Sequence, residues 1–127
     1  MVITGCSPQK PDQKIYKIAI VSGLEAFEHI IQGFTDGMTE QGYIEGQNVY
    51  YHFLRVNPKN PAEETKIRQL VADSVDLILT FPTEASLWVK KLTRETNIPI
   101  VFVMAGIEGN DLVETILHPG GNITGVR

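Results

Sequence analysis

The sequence predicts an α/β fold, a Rossmann-like three-layer domain on a parallel five-stranded sheet in the order 2-1-3-4-5. Two observations carry that prediction. From Lys14 onward, short apolar runs rich in Val and Ile alternate with stretches whose apolar residues recur at helical spacing. The connections between the apolar runs are themselves helical, so the strands must be joined by crossovers and lie mainly parallel, with helices on both faces. Right-handed crossovers leave few topologies. Order 2-1-3-4-5 places the second strand at an edge, which suits its Tyr50, His52 and Arg55.

Each element has its own signal. Ile15 to Val21 is nearly continuous apolar sequence, as a strand covered on both faces requires. Phe27, Ile30, Ile31, Phe34 and Met38 then fall on one stripe of a helix. Gly42 suits a left-handed cap at its end. Val49 to Arg55 is the second strand. Asn60 caps a second helix with Pro61 at its first position, and Ile67, Leu70, Val71 and Val75 form the buried side. Leu77 to Phe81 is the third strand. Pro82-Thr83-Glu84 opens a third helix with Ala85, Trp88, Val89 and Leu92 inward. Asn97-Ile98-Pro99 introduces a fourth strand, Ile100 to Ala105. A short helix around Asp111 to Leu117 and a strand from near Asn122 complete the pattern.

Composition narrows the function. A chain of 127 residues is one domain's worth, here a polar start (1–13) and a folded part (14–127). Eleven Lys and Arg against fifteen Asp and Glu, interspersed along the chain, give a net charge of -4 and argue against a nucleic-acid surface. No apolar run approaches the roughly 18–20 residues that span a bilayer. One cysteine excludes an internal disulfide and a Cys-rich zinc site.

Catalytic and cofactor motifs are missing. His29, His52 and His118 lack ligand spacing, so no metal is expected. Ser22-Gly23-Leu24-Glu25 after the first strand carries a single glycine, and no Walker loop occurs, which removes dinucleotide and ATP cofactors. Val21-Ser22 and Phe81-Pro82 lack the acids of a phosphorylatable receiver. Ser22, Ser74 and Ser86 sit in no nucleophile elbow. No catalytic residue and no cofactor is therefore assigned. Gly33 and Gly37, spaced Gly-x-x-x-Gly on the first helix, read as close helix–sheet packing or a ligand-side bend. Trp88 reads as core.

What remains is a binding site fixed by topology. Open α/β sheets bind ligands beyond the carboxyl ends of their strands, where the strand order reverses. That places Ser22 and Gly23, the Pro82–Ser86 turn with Thr83, Ala85 and Ser86, and the Gly106–Asn110 loop with Gly106 and Glu108 around one small-molecule ligand. Thr83 either caps the third helix or also presents its hydroxyl, and free amides at that helix start suit a carboxylate.

The start Ile3-Thr4-Gly5-Cys6 resembles a bacterial lipobox, small residues before a cysteine that receives lipid, without the basic and apolar segments that precede one. Two readings stand, a lipidation site at Cys6 followed by a tether (7–13), or a free thiol in a polar tail.

Five stretches in order resemble the tryptophan/tyrosine-type ABC-transporter substrate-binding proteins. They are Gln32-Gly33-Phe34-Thr35-Asp36-Gly37-Met38, Gln41-Gly42-Tyr43-Ile44-Glu45-Gly46-Gln47-Asn48-Val49, Val75-Asp76-Leu77-Ile78-Leu79, Asn97-Ile98-Pro99-Ile100-Val101-Phe102, and His118-Pro119-Gly120-Gly121-Asn122-Ile123-Thr124-Gly125-Val126. The resemblance implies a two-lobed binding protein of the type I periplasmic class. Such a protein is held in the cell envelope, on its periplasmic or extracellular face, and delivers a small molecule such as an aromatic amino acid to an ABC permease. This chain would be the first lobe, its second lobe missing. An isolated lobe would expose its site loops and self-associate through them. The sequence departs from relatives at two places. Thr83-Glu84-Ala85-Ser86 stands where they carry Thr-Pro-Ala-Ala, and Ala105-Gly106-Ile107-Glu108 where they carry Thr-Asp-Pro. Glu108 could replace the aspartate with a small shift. The competing reading is the ligand-sensing core of a transcription regulator or sensor kinase, which shares the lobe architecture. An enzyme of the doubly wound class has no motif to support it.

Overall fold

The computed structural model describes residues 14–25 and 27–127, so Cys6 and the tether lie outside the described residues. The sheet has five strands in the order β2-β1-β3-β4-β5, every neighbouring pair parallel. In chain order the elements are β1 (Tyr16–Ser22), α1 (Glu28–Glu40), β2 (Val49–Arg55), α2 (Glu64–Ala72), β3 (Leu77–Phe81), α3 (Thr83–Thr93), β4 (Ile100–Val103) and β5 (Ile123–Val126). The predicted topology is the observed one.

Period-two alternation divides the core. Ala19, Val21, Ile78, Ile100, Phe102 and Ile123 face α2 and α3, whose Ile67, Leu70, Ala85 and Val89 are buried against them. Ile20, Leu79 and Phe81 face the other way, where Phe27, Ile30, Ile31 and Phe34 of the α1 segment cover them. The central strands β1 and β3 are thus apolar on both sides, which is why their sequences read as unbroken runs.

Local chemistry ends and starts the helices where expected. Gly42 has φ +94°, and the amides of Gly42 and Tyr43 donate to the carbonyls of Thr39 and Met38, the paired bonds of a left-handed helix stop. Asn60 accepts the Ala62 amide at 3.2 Å, capping a 3-10 turn (Pro61–Glu63) that leads into α2.

Several expectations fail. The predicted helix around Asp111 to Leu117 does not form. Leu112 is buried, but the Glu114 amide donates to Pro119 and that of Thr115 to His118, so the segment closes into turns. It is too short to repay helix nucleation by itself. Gly33 and Gly37 do not pack closely, since a Cβ added at either meets nothing within 4 Å. β1 begins at Tyr16 rather than Ile15, and β4 ends at Val103 rather than Ala105 because Met104 turns to φ +51°. Val75 lies beyond the end of α2, although it is buried.

The amino end of the sheet is pinned by Asp76. Its carboxylate accepts the Lys17 amide at 2.8 Å, its own amide donates to the Lys17 carbonyl at 2.8 Å, and Lys14 pairs with it at 2.9 Å. Burial pushes the carboxyl group up, but the Lys17 amide and the Lys14 ammonium outweigh that and hold it below its usual value. A depressed carboxylate stabilises the fold above its unfolded pKa, and that contribution is lost as pH falls through the folded value. Asp76→Asn should therefore cost about 1–2 kcal/mol at neutral pH, a charged hydrogen bond discounted for partial exposure. In denaturant titrations across pH, the gap between wild type and variant should close once the carboxylate is protonated.

Candidate substrate-binding edge

Parallel pairing brings the carboxyl ends of all the strands to one edge, and the loops after β1, β3 and β4 meet there. They are laced together by backbone bonds. The Gly23 amide donates to the Phe81 carbonyl at 2.9 Å, joining the loop after β1 to the end of β3. The Gly106 amide donates to Thr83 Oγ1 at 2.8 Å, joining the loop after β4 to the first turn of α3. Asn110 then holds that loop, donating from its amide to the Gly106 carbonyl at 2.7 Å and accepting the Leu112 amide at 2.9 Å. Gly23 is favoured by closeness, because a Cβ there would crowd Ala85 Cβ at 3.1 Å and Pro82 Cδ at 3.3 Å.

The predicted residues fall into distinct groups. Ser22, Gly23, Thr83 and Gly106 line the edge. Ser22 is locally engaged, its hydroxyl donating to the Leu24 carbonyl at 2.8 Å and accepting the Leu24 amide at 3.1 Å. Thr83 is the first residue of α3 rather than its cap. Pro82 precedes the helix with no side-chain cap, so the Thr83 hydroxyl is free to bridge to Gly106, and its own proton points to no acceptor among the described residues. Ala85 and Ser86 are fully buried, and Ser86 donates to the Pro82 carbonyl at 2.7 Å. Their side chains shape the turn from beneath. The Ser86 amide is bonded to the Pro82 carbonyl, which leaves the amides of Thr83, Glu84 and Ala85 as the unpaired start of the helix.

Glu108 reaches the edge but is engaged. It accepts the Ile107 amide at 3.2 Å and pairs with Arg127 beyond β5. Its own backbone amide and that of Ile107, with the Arg127 guanidinium, hold its carboxyl below the usual range. At the other flank Arg55 pairs with Glu25. The edge is an open shelf with charged corners. A cavity of about 600 Å³ opens elsewhere, at the amino end of β4 and β5 beside Lys90, Arg94 and Asn122, away from these loops.

Two residues escaped the sequence reading. Met104 combines φ +51°, rare for a residue with a side chain, with 55% exposure of its apolar chain at the end of β4. Nothing in its sequence neighbours signals that turn. Arg127 enters only through its pairing with Glu108, nineteen residues away in the chain.

Comparison with known proteins decides the family. The model of the ABC transporter substrate binding protein family matches residues 14–127. The chain belongs to that family. Its members are solute-binding proteins rather than enzymes. A conserved domain protein from Vibrio cholerae O1 biovar El Tor is 31% identical with a TM-score of 0.78, over 88% of this chain and 38% of that one. An ABC domain from Streptococcus pneumonia, solved in complex with L-Trp, is 28% identical with a TM-score of 0.77, over 89% of this chain and 38% of that one. A ligand-free, open substrate binding protein with adhesive properties from Clostridium difficile has the same fold, at 24% identity and a TM-score of 0.76, over 87% of this chain and 38% of that one. The chain thus spans 38% of the length of each of these proteins. No protein of curated function matches it.

The lacing of this edge is testable. Thr83→Val keeps the size of the side chain and removes the acceptor for the Gly106 amide. We expect a loss of about 1 kcal/mol and faster hydrogen exchange at Gly106, with Thr83→Ser retaining the wild-type rate.

Proposed function

We propose that this chain is the first of two lobes of the solute-binding component of an ABC importer, with a small molecule held between the lobes. What carries the proposal is the coverage of the relatives: the whole described fold aligns with 38% of their length, which leaves room for a second lobe of similar size. The carboxyl edge is the surface that would close on the ligand. Thr83, the amides opening α3 and the backbone of Gly23 and Gly106 would meet its polar groups. Glu108 and Glu84 would favour an amine, and Met104 would supply an apolar contact. An aromatic amino acid fits that set, and the L-Trp complex of a relative supports it. Delivery to a permease would follow at the periplasmic or extracellular face. No helix among the described residues is long and apolar enough to cross a membrane, and a lipid on Cys6 would anchor the chain there.

Half a site binds weakly. If an intact relative binds near ~1 μM, worth about -8 kcal/mol, one lobe keeps roughly -4 kcal/mol, or a dissociation constant on the order of 1 mM. The entropy of immobilising the ligand is not halved, which weakens it further. Calorimetry with tryptophan, tyrosine or phenylalanine at micromolar concentrations should give no binding heat for this chain, and a two-lobed parent protein should bind one of them. Tight binding by this chain alone would overturn the two-lobe reading. For the anchor, the full precursor expressed in bacteria should partition into detergent and Cys6→Ser should release it, whereas equal partitioning of both would remove the lipid.

A further inference from the structure

β2 forms one lateral edge of the sheet, and its outer side is unusually well prepared for pairing. The Tyr16 amide donates to Asn48 and the Val56 amide to Ser22, both at 2.9 Å, and the register between β1 and β2 runs unbroken from Tyr16–Val49 to Ser22–Arg55. In a parallel ladder, alternate residues of a strand bond a given neighbour. Tyr50, His52 and Leu54 therefore turn their backbone groups to β1, and Tyr51, Phe53 and Arg55 turn theirs outward. Val49 does not extend the outward run, because its carbonyl accepts the Gly46 amide at 3.1 Å.

Edges of this kind are normally blunted by lysine, proline or a bulge. None of the outward residues is Lys or Pro, and the register has no interruption. Large aromatic side chains instead stand exposed on both faces, Tyr50 at 51% and Phe53 at 54%. The opposite edge, β5, spans only Ile123–Val126 and includes a glycine.

We propose that the chain forms a two-fold dimer by antiparallel pairing of β2 with β2 of a second copy, centred on Phe53. The strand is self-complementary in that register. Phe53 lies opposite Phe53 of the copy, and Tyr51, whose ring packs on Phe34, lies opposite Arg55, whose guanidinium keeps its Glu25 partner. Tyr51, Phe53 and Arg55 then exchange their outward amides and carbonyls with the copy, the Arg55 carbonyl giving up a long 3.5 Å contact from Lys66 Nζ. On the other face His52 meets Leu54, so no like charges oppose one another. Centring on His52 would set Arg55 against Val49, whose carbonyl is already taken. A symmetric strand of this pattern selects another copy of itself rather than an unrelated segment, because an isologous interface repeats each favourable pair. The surface is lateral, distinct from the loops that line the ligand edge.

Sedimentation equilibrium of the 127-residue chain across a wide concentration range should show a monomer–dimer equilibrium. In the dimer the outward amides of Tyr51, Phe53 and Arg55 should gain hydrogen-exchange protection. Phe53→Lys and Phe53→Asp should each weaken dimerisation by roughly tenfold or more, without lowering the melting temperature of this exposed position. An equimolar mixture of the two variants should restore the dimer, since Lys then faces Asp across the two-fold axis. A wild-type chain that stays monomeric overturns the proposal, as does a Phe53→Lys dimer of unchanged strength. Loss of the dimer in Met104→Lys with retention in Phe53→Lys would place association at the ligand edge and overturn it as well.

Discussion

Parallel pairing of β1 with β3 at the centre of the sheet is the constraint on which the rest of the structure depends. The pair runs in register from Ile18–Leu77 to Ser22–Phe81, and its residues are buried on both faces. Strands that run the same way cannot be joined by a tight turn, so each connection must climb back across the sheet as a helix. α1 takes one face and α2 and α3 the other. Because the strand order reverses about β1, the crossovers diverge at the carboxyl ends of β1 and β3 and leave the open shelf between their loops. The shape of the carboxyl edge is therefore a consequence of how the core is paired.

Rigidity at that edge comes from hydrogen bonds to backbone amides rather than from charge. Gly23 to Phe81 and Gly106 to Thr83 tie the loops to β3 and α3, the elements most deeply set in the core. The charged residues at the corners, Glu25 with Arg55 and Glu108 with Arg127, are exposed pairs that contribute little to stability. They hold charge in place at the margins of a shelf whose floor is backbone. That division leaves fixed backbone donors on the shelf and confines exchangeable charge to its margins.

How legible the protein was in its sequence differs between core and site. Ile18-Ala19-Ile20-Val21 and Ile78-Leu79 read as buried strands because solvent is excluded from both faces and each position must be apolar. Gly42 and Asn60 read as a helix stop and a cap because their chemistry is local, satisfied by backbone within a few residues. The loops after β1, β3 and β4 could be named once the strand order was set, since the order alone dictates which loops share the carboxyl edge. The expected helix around Asp111 to Leu117 does not form because the turn that buries Leu112 is closed by bonds to His118 and Pro119.

The sequence by itself determined the alternation and the parallel sheet and its order, which follow from periodicity and the crossover rule, while its five matching stretches carried the resemblance to the family. Tertiary structure alone decided what each edge residue does. It put Ala85 and Ser86 beneath the turn rather than on it, gave the Thr83 hydroxyl to Gly106, paired Glu108 with Arg127 and exposed Met104 in a left-handed turn. The physical reason is that burial and periodicity are written residue by residue, whereas a hydrogen-bond partner nineteen or more residues away exists only once the sheet has brought both to the same edge.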